Sequence, residues 1–239
     1  MLLFYIRHGD PIYAPNQLTP LGHRQAEAVA KRLYLHGIDR VYSSDSNRAV
    51  QTAQPTCELT KKEMTLLPWC NESVAHKHFF GMNEELGRER WYFEIPKYRL
   101  LFNSPEIRKL GNEWYRHPAF EGSLAETGVK LYEKEVDALL SSLGYDHDPT
   151  TGTYTANRPN DDRIALFAHE GVGKIFMSCL LDIPYPLYAT HFEMGHSSMT
   201  VIEFPNTTKP FVPRMLQLSN DSHLYREGLS THYHNAIRF

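Results

Sequence analysis

Two short runs, Leu2–Ile6 and Arg163–Ala168, constrain the fold more than anything else in the chain. Apart from the arginine that leads the second, every position in them is apolar. A strand with one face in water alternates apolar and polar residues. A run without alternation belongs to a strand covered on both faces, as in a parallel sheet between helices. Each run also leads to a histidine. The first passes through Arg7 into His8-Gly9, and the second enters His169-Glu170-Gly171.

Segments of helical period lie between the strand-like ones. Thr19 is a good N-cap and Pro20 suits the first helical position. Leu21, Ala26, Val29, Ala30 and Leu33 then recur at helical spacing until Gly37. Arg40–Ser44 reads as a second strand, followed by a helix from Asp45 or Ser46 to about Leu59, and Thr65–Leu67 reads as a third strand. The rhythm breaks over 72–122, which is rich in aromatic and charged residues. Helices and loops, with no strand, are expected there, as an insertion over the sheet's C-terminal edge that acts as a lid or specificity segment. Ala125–Leu143 reads as a long amphipathic helix ending at Gly144, and Tyr145–Asp162 as a surface loop or short hairpin. A helix over Gly171–Leu181 and strands over Ser198–Phe204 and Arg214–Ser219 complete the pattern. Strand and helix alternate as in a three-layer α/β/α sandwich with a mostly parallel central sheet. The 239 residues suit a single domain over 1–239.

Composition removes several classes. A net charge of -3 offers no broad basic field for nucleic acid or anionic lipid. No apolar run approaches the ~20 residues of a membrane-spanning helix, and the first residues lack the layout of a signal peptide. Cys57, Cys70 and Cys179 are odd in number and widely spaced, which fits a reducing compartment and a cytoplasmic location. The expected partner is a small phosphorylated substrate, with no nucleic acid and no membrane.

In open parallel sheets, ligands bind beyond the carboxyl ends of the strands. His8, His169, Arg7 and Arg48 are therefore expected at one rim. Guanidinium forks match phosphoryl oxygens with paired hydrogen bonds. A neutral imidazole, held at one nitrogen, can attack phosphorus through the other. Gly9 would let the backbone approach the ring or the phosphate, and helix starts near Asn47 and Gly171 add N–H donors for an anion. No metal or other cofactor is expected, because arginine and imidazolium would supply the charge. His76/His78 and His232/His234 have spacing open to metal, but solvated or substrate-facing roles are expected for them. Trp91, Phe93, Trp114 and their neighbours read as insertion core, and His196 as a residue of the rim or of simple loop packing.

Phe4-Tyr-Ile-Arg7-His8-Gly9, Leu18-Thr-Pro-Leu-Gly22-His-Arg-Gln25-Ala26, Val41-Tyr-Ser43-Ser44-Asp-Ser-Asn-Arg48-Ala-Val-Gln51-Thr52-Ala53 and Phe167-Ala-His169-Glu-Gly171 occur in this order. Together they resemble the signatures of the histidine phosphatase superfamily, in its larger, phosphoglycerate mutase-like branch. The resemblance implies a phosphohistidine intermediate on His8, with Arg7, Arg48 and His169 holding the phosphoryl group and Asn16 a further contact. It places the proton donor after the third strand, where Glu72 stands, with Glu170 as the alternative donor. The implied activity is phosphomonoester hydrolysis. The short Asp10–Gln17 loop and the unmatched insertion favour it over a cofactor-dependent phosphomutase, and a non-catalytic phosphate-binding protein ranks below both.

Overall fold

A computed structural model describes residues 1–231 and Tyr233. In chain order the first elements are β1 (Leu2–Arg7), β2 (Pro11–Ile12), β3 (Gln17–Leu18), α1 (Pro20–His36), β4 (Arg40–Ser43), α2 (Asn47–Thr60) and β5 (Met64–Leu66). The insertion contributes α3 (Glu72–His76), β6 (Phe80–Asn83), β7 (Arg88–Trp91), α4 (Pro96–Phe102) and α5 (Pro105–Leu110). There follow α6 (Ala125–Ser142), β8 (Tyr145–Asp148), β9 (Thr153–Ala156), β10 (Arg163–Ala168), α7 (Glu170–Leu181), α8 (Tyr185–His191), β11 (Met199–Glu203), β12 (Arg214–Asn220) and α9 (Ser222–Arg226).

The central sheet has six strands in the order β12-β11-β1-β10-β4-β5. The β1, β10, β4 and β5 strands run parallel, while β11 and β12 join antiparallel on the other side of β1. Strand period divides the core. Leu3 and Tyr5 of β1, with Ile164, Leu166 and Ala168 of β10, face a large cluster that includes α6 and α7. Phe4, Ile6, Ala165 and Phe167 face the other side, against Val29 and Leu33 of α1 and Ala53 of α2. Covering both faces explains why neither run alternates in polarity. The sandwich expected from the pattern is the fold observed.

Local signals set the helix ends. Thr19 caps α1 by accepting from the Gly22 N–H at 3.0 Å, Pro20 follows, and Gly37 closes the helix at φ 75. Backbone contact fixes the approach of α1 to the end of β1. A Cβ on Gly9 would lie 2.6 Å from the Gly22 carbonyl oxygen. The absence of a side chain at Gly9 thus serves helix packing, and its carbonyl holds the His8 ring.

The expectation of no strand in 72–122 is overturned. Phe80–Asn83 and Arg88–Trp91 pair as an antiparallel hairpin around Gly87, whose φ is +60. The pair is two-stranded, supported by Tyr92, Tyr98 and other rings rather than by a sheet, so its strands show no apolar run. At the sheet's rim the insertion brings α3, whose Glu72 meets Arg48, and Trp91, which lies against Gly171. The rest packs on α6, α7 and α8, and α8 itself was not foreseen. The 145–162 segment forms a hairpin, β8–β9. Leu229 of the tail packs on Ala28 and Leu224, while Tyr225 is exposed. His232, His234 and Phe239 lie outside the described residues. All three cysteines are free, and no helix of the described residues is long and apolar enough to cross a membrane.

On β8, the side chain of His147 is 6% exposed and bridges two helices. Its Nδ1 lies 3.1 Å from Asp137 on α6 and its Nε2 2.9 Å from Asp182 at the end of α7. Hydrogen bonds to Asp137 and then Asp182 raise its pKa to about 9. A raised histidine pKa adds stability that is fully present below the unfolded value of roughly 6.5 and lost as pH passes about 9. The urea midpoint should therefore fall between pH 6 and pH 9.5 by a contribution on the order of 2 kcal/mol. His147→Gln should flatten that fall, and an unchanged slope in the variant would refute the bridge's role.

Candidate active site

Register brings the two histidines together. In the β1–β10 pair Arg7 stands opposite Ala168, and the His8 N–H donates to the Ala168 carbonyl at 2.9 Å. His8 and His169 therefore leave adjacent strand ends side by side, with ring centroids 5.2 Å apart. Both are buried. The Gly9 carbonyl lies 2.7 Å from His8 Nδ1. A carbonyl only accepts, so Nδ1 carries the hydrogen and Nε2 keeps its lone pair. Gly9 is held in turn by its N–H to Thr52 Oγ1 at 3.0 Å.

Arg48 lies in the first turn of α2. Its Nη2 donates to Glu72 Oε2 at 2.6 Å and to His169 Nδ1 at 3.0 Å, and its Nη1 donates to Asn16 Oδ1 at 3.1 Å. Because guanidinium cannot accept, His169 Nδ1 is the acceptor. Its Nε2 hydrogen then faces Ser44 Oγ at 3.0 Å. Ser44 is positioned by β4, the neighbour of β10: its N–H donates to the Phe167 carbonyl at 2.8 Å. Glu72 opens α3, which is capped by Asn71 and tied to the loop before α2 by the Asn71–Asp45 bond of 2.6 Å.

Arg7 approaches from the other side and is 5% exposed. Its Nη1 donates to Glu170 Oε2 at 2.8 Å and to the Met194 carbonyl at 2.5 Å, and its Nη2 lies 3.0 Å from His196 Nε2. Glu170 also pairs with buried Lys174 at 3.0 Å, whose Nζ sits 3.8 Å above the Phe93 ring. The structure thus gathers Arg7, His8, Asn16, Arg48, Glu72 and His169. Glu170 is gathered too, but with both oxygens engaged by cations.

Burial sets the protonation states. It pushes the His8 pKa well below the usual imidazole value, reinforced by His169, Arg7 and Arg48. Burial does the same to His169, helped by Arg48 and Arg7. Both rings are neutral, so the expected imidazolium charge is corrected: the positive charge comes from the guanidiniums and Lys174. Burial raises the Glu72 carboxyl despite the opposing Arg48 and Arg7. One environment therefore favours a neutral imidazole at His8 and shifts Glu72 toward its protonated form.

His8, Glu72 and His169 present donor atoms all within 4.8 Å of one another, a His₂Glu set that could hold a metal. Arg48 already occupies His169 Nδ1 and Glu72 Oε2, so the electrostatics suit an anion. His78 Nδ1 donates to the Val74 carbonyl and His76 lies against Trp91. Sequence reasoning missed Ser44, Lys174 and Tyr13. Ser44 was visible inside the Ser-Ser motif without a role. Tyr13 lies over Arg48, 5.4 Å from its ring centroid, on the β2–β3 turn, and nothing in its sequence marks it.

The family model described as the histidine phosphatase superfamily (branch 1) matches residues 3–94. No curated protein matches the chain. Among solved structures, a phosphoserine phosphatase mutant of Entamoeba histolytica in complex with phosphoserine is 20% identical. It covers 93% of this chain and 98% of its own, with a TM-score of 0.60. A mycobacterial glucosyl-3-phosphoglycerate phosphatase is 21% identical over 91% and 98%, with a TM-score of 0.58. A putative alpha-ribazole-5'-P phosphatase from Escherichia coli is 21% identical over 92% and 98%, at 0.57. At this identity the likeness establishes the fold.

Removing one partner from a buried charge cluster leaves the others uncompensated. Glu170→Ala should cost about 3–5 kcal/mol in a urea titration. Adding Lys174→Met should recover part of that loss. Additive losses in the double variant would contradict the Arg7–Glu170–Lys174 network.

Proposed function

We propose, from the premise that residues 3–94 place this chain in the histidine phosphatase superfamily, that it is a metal-independent phosphomonoester hydrolase working through phosphohistidine at His8. The observation that carries the reading is His8 itself. Its Nδ1–H is fixed on the Gly9 carbonyl and its Nε2 is free, beside two buried guanidiniums. Three buried cations stand against two carboxyl groups: Arg7 and Lys174 meet Glu170, and Arg48 meets Glu72. The cations outnumber the carboxyl groups, an excess that grows as Glu72 moves toward its protonated form, and this suits a phosphate anion. Arg7 and Arg48 each keep a buried Nε–H with no hydrogen-bond partner. The fold leaves these donors unsatisfied, at a cost that phosphoryl oxygens would relieve.

In the first step His8 Nε2 forms a bond to phosphorus as the P–O ester bond breaks, and the leaving oxygen takes the Glu72 proton. In the second step the Glu72 carboxylate removes a proton from water. The water oxygen then bonds to phosphorus as the P–N bond breaks, releasing phosphate and neutral His8. Arg7 and Arg48 hold the phosphoryl oxygens, with Asn16 steadying Arg48 through its Oδ1. A bound dianion would favour a proton on His169 Nδ1, making that ring a further donor. Glu72 is assigned the proton transfers over Glu170 because both Glu170 oxygens are tied to Arg7 and Lys174. We assign specificity to the 72–122 insertion, within a single domain over 1–239. Its first helix carries Glu72, and its Phe93 lies over Lys174. A small phosphorylated compound is the substrate class, as the phosphoserine in one related structure illustrates for that protein.

His8→Ala should abolish hydrolysis of aryl and alkyl phosphates while leaving the urea midpoint close to that of the parent. Undiminished turnover would end the reading. Transfer of labelled phosphate to a second acceptor, in place of release, would make the enzyme a mutase. A separate test isolates Glu72. Glu72→Gln should lower kcat/KM for an alkyl phosphate by roughly 10²–10⁴-fold. It should change kcat/KM for p-nitrophenyl phosphate far less, since that leaving group needs no proton. The active form has His8 neutral and Glu72 protonated. With the His8 pKa lowered and the Glu72 pKa raised, kcat/KM for the alkyl ester should fall as rising pH removes the Glu72 proton. The variant should lose this alkaline limb, and its retention would remove Glu72 from the role.

A further inference from the structure

The geometry points to His196 as a positioning residue for Arg7, through a relay of Asp10, His196 and Arg7 that holds the guanidinium without neutralising it. The inference rests on the hydrolase reading and deepens it. Arg7 Nη2 can only donate, so His196 Nε2, 3.0 Å away, is the acceptor. The ring hydrogen is then on Nδ1, which lies 3.4 Å from Asp10 Oδ1. The other Asp10 oxygen, Oδ2, accepts from Thr19 Oγ1 at 2.7 Å, and Thr19 is the N-cap of α1. The carboxylate is thus anchored to the helix, the imidazole tautomer to the carboxylate, and the guanidinium to the imidazole.

The loop that presents His196 is built against the nucleophile. Ser197 donates its N–H to the His8 carbonyl at 3.0 Å, and the Arg7 N–H donates to the Ser198 carbonyl at 3.1 Å. The His196 and His8 ring centroids are 5.6 Å apart. Directly after His196, Ser197 sits at φ 56, in the left-handed region that a side chain disfavours. Its hydroxyl is held 3.1 Å from His223 Nε2. Non-glycine residues persist in this conformation where surrounding contacts over-determine them, and such places cluster at functional sites.

A neutral acceptor has a specific advantage here. A carboxylate on Nη2 would fix the guanidinium equally well but would cancel the charge that a phosphoryl group needs. Glu170 already balances Arg7 together with Lys174 on the Nη1 side. The imidazole supplies orientation on the remaining edge and leaves the positive charge available to substrate. Loss of the relay would let Arg7 turn away from the phosphoryl oxygens, with no effect on His8 chemistry except through Arg7.

A double-mutant cycle on the full chain tests this, read as kcat/KM for p-nitrophenyl phosphate and as inhibition by inorganic phosphate. His196→Leu should lower kcat/KM about 10–100-fold, the range expected when a supporting contact is lost. It should weaken phosphate inhibition in parallel. His196→Gln offers an acceptor to Arg7 and a donor to Asp10, and should restore both readouts to within about threefold of the parent. In an Arg7→Ala background, His196→Leu should add less than about threefold, because its target is gone. Penalties that multiply in the double variant would overturn the relay. So would a glutamine no better than leucine, or a leucine within threefold of the parent. Should His196→Leu fail to fold, Asp10→Ala, which frees the imidazole tautomer, carries the same cycle. A parent protein that binds inorganic phosphate but hydrolyses no phosphomonoester defeats the hydrolase reading alone, and the cycle is then read on phosphate affinity. Binding of neither overturns both.

Discussion

Two guanidiniums held out of water beyond the ends of β1 and β4 are the constraint around which this molecule is organised. Burying a charge without partners is among the costliest things a fold can do. Every element that reaches the rim answers that cost. The β1 strand delivers Arg7, and α7 begins with the carboxylate that meets it. The α2 helix delivers Arg48, and α3 begins with the carboxylate that meets that one. The Asp10–Gln17 turn brings Asn16 to Arg48 Nη1. The two ion pairs differ in a way that bears on chemistry. Glu170 is shared by Arg7 and Lys174 and stays engaged on both oxygens, whereas Glu72 meets Arg48 through a single oxygen at the mouth. One carboxylate is a fixed counter-charge, and the other is able to exchange its partner for a phosphoryl group.

The same burial has opposite consequences for acids and bases, and the site needs both. Desolvation disfavours whichever form is charged. It keeps His8 and His169 neutral, so the lone pair on His8 Nε2 survives under mildly acidic conditions. It pushes Glu72 toward its protonated form, although two arginines pull the other way. Within one cavity, burial thus favours a neutral imidazole beside a carboxyl shifted toward its protonated form.

The fold was legible wherever one physical cause dominated. β1 and β10 announced themselves because both faces are covered, so Leu2–Ile6 and Ile164–Ala168 are apolar without alternation. α1 was readable from its cap, its period and Gly37. The convergence of Arg7, His8, Arg48 and His169 followed from strands ending at one rim, whereas Glu72 was singled out by the family resemblance. The insertion was not legible in this way. β6 and β7 pair with each other alone, and their packing is aromatic, with Gly81 pressed against Tyr92 and Tyr98. Without a sheet on both sides there is no apolar run to read. Contacts between side chains distant in sequence were equally hidden. Glu170 next to His169 read as the alternative proton donor, and only the fold shows both of its oxygens engaged, by Arg7 and Lys174. His196 read equally as a rim residue or as loop packing, because its partner, Arg7, lies 189 positions away.

The insertion and the Arg7–Glu170 pair are not independent modules. The first turn of α7 carries Glu170 toward Arg7 and Lys174 toward the insertion, where Lys174 Nζ lies over Phe93 and donates to the Ala189 carbonyl of α8. Between them, Gly171 leaves room for the Trp91 ring: a Cβ there would come within 2.5 Å of it. The indole at the end of β7 therefore rests on the same helical turn that fixes the counter-charge of Arg7. A substrate that displaced Trp91 or Phe93 would press directly on the Glu170–Lys174 pair, and packed interiors transmit such displacements instead of absorbing them. A displacement in the aromatic insertion would then be felt at the Arg7 guanidinium, through one turn of helix and a single shared carboxylate.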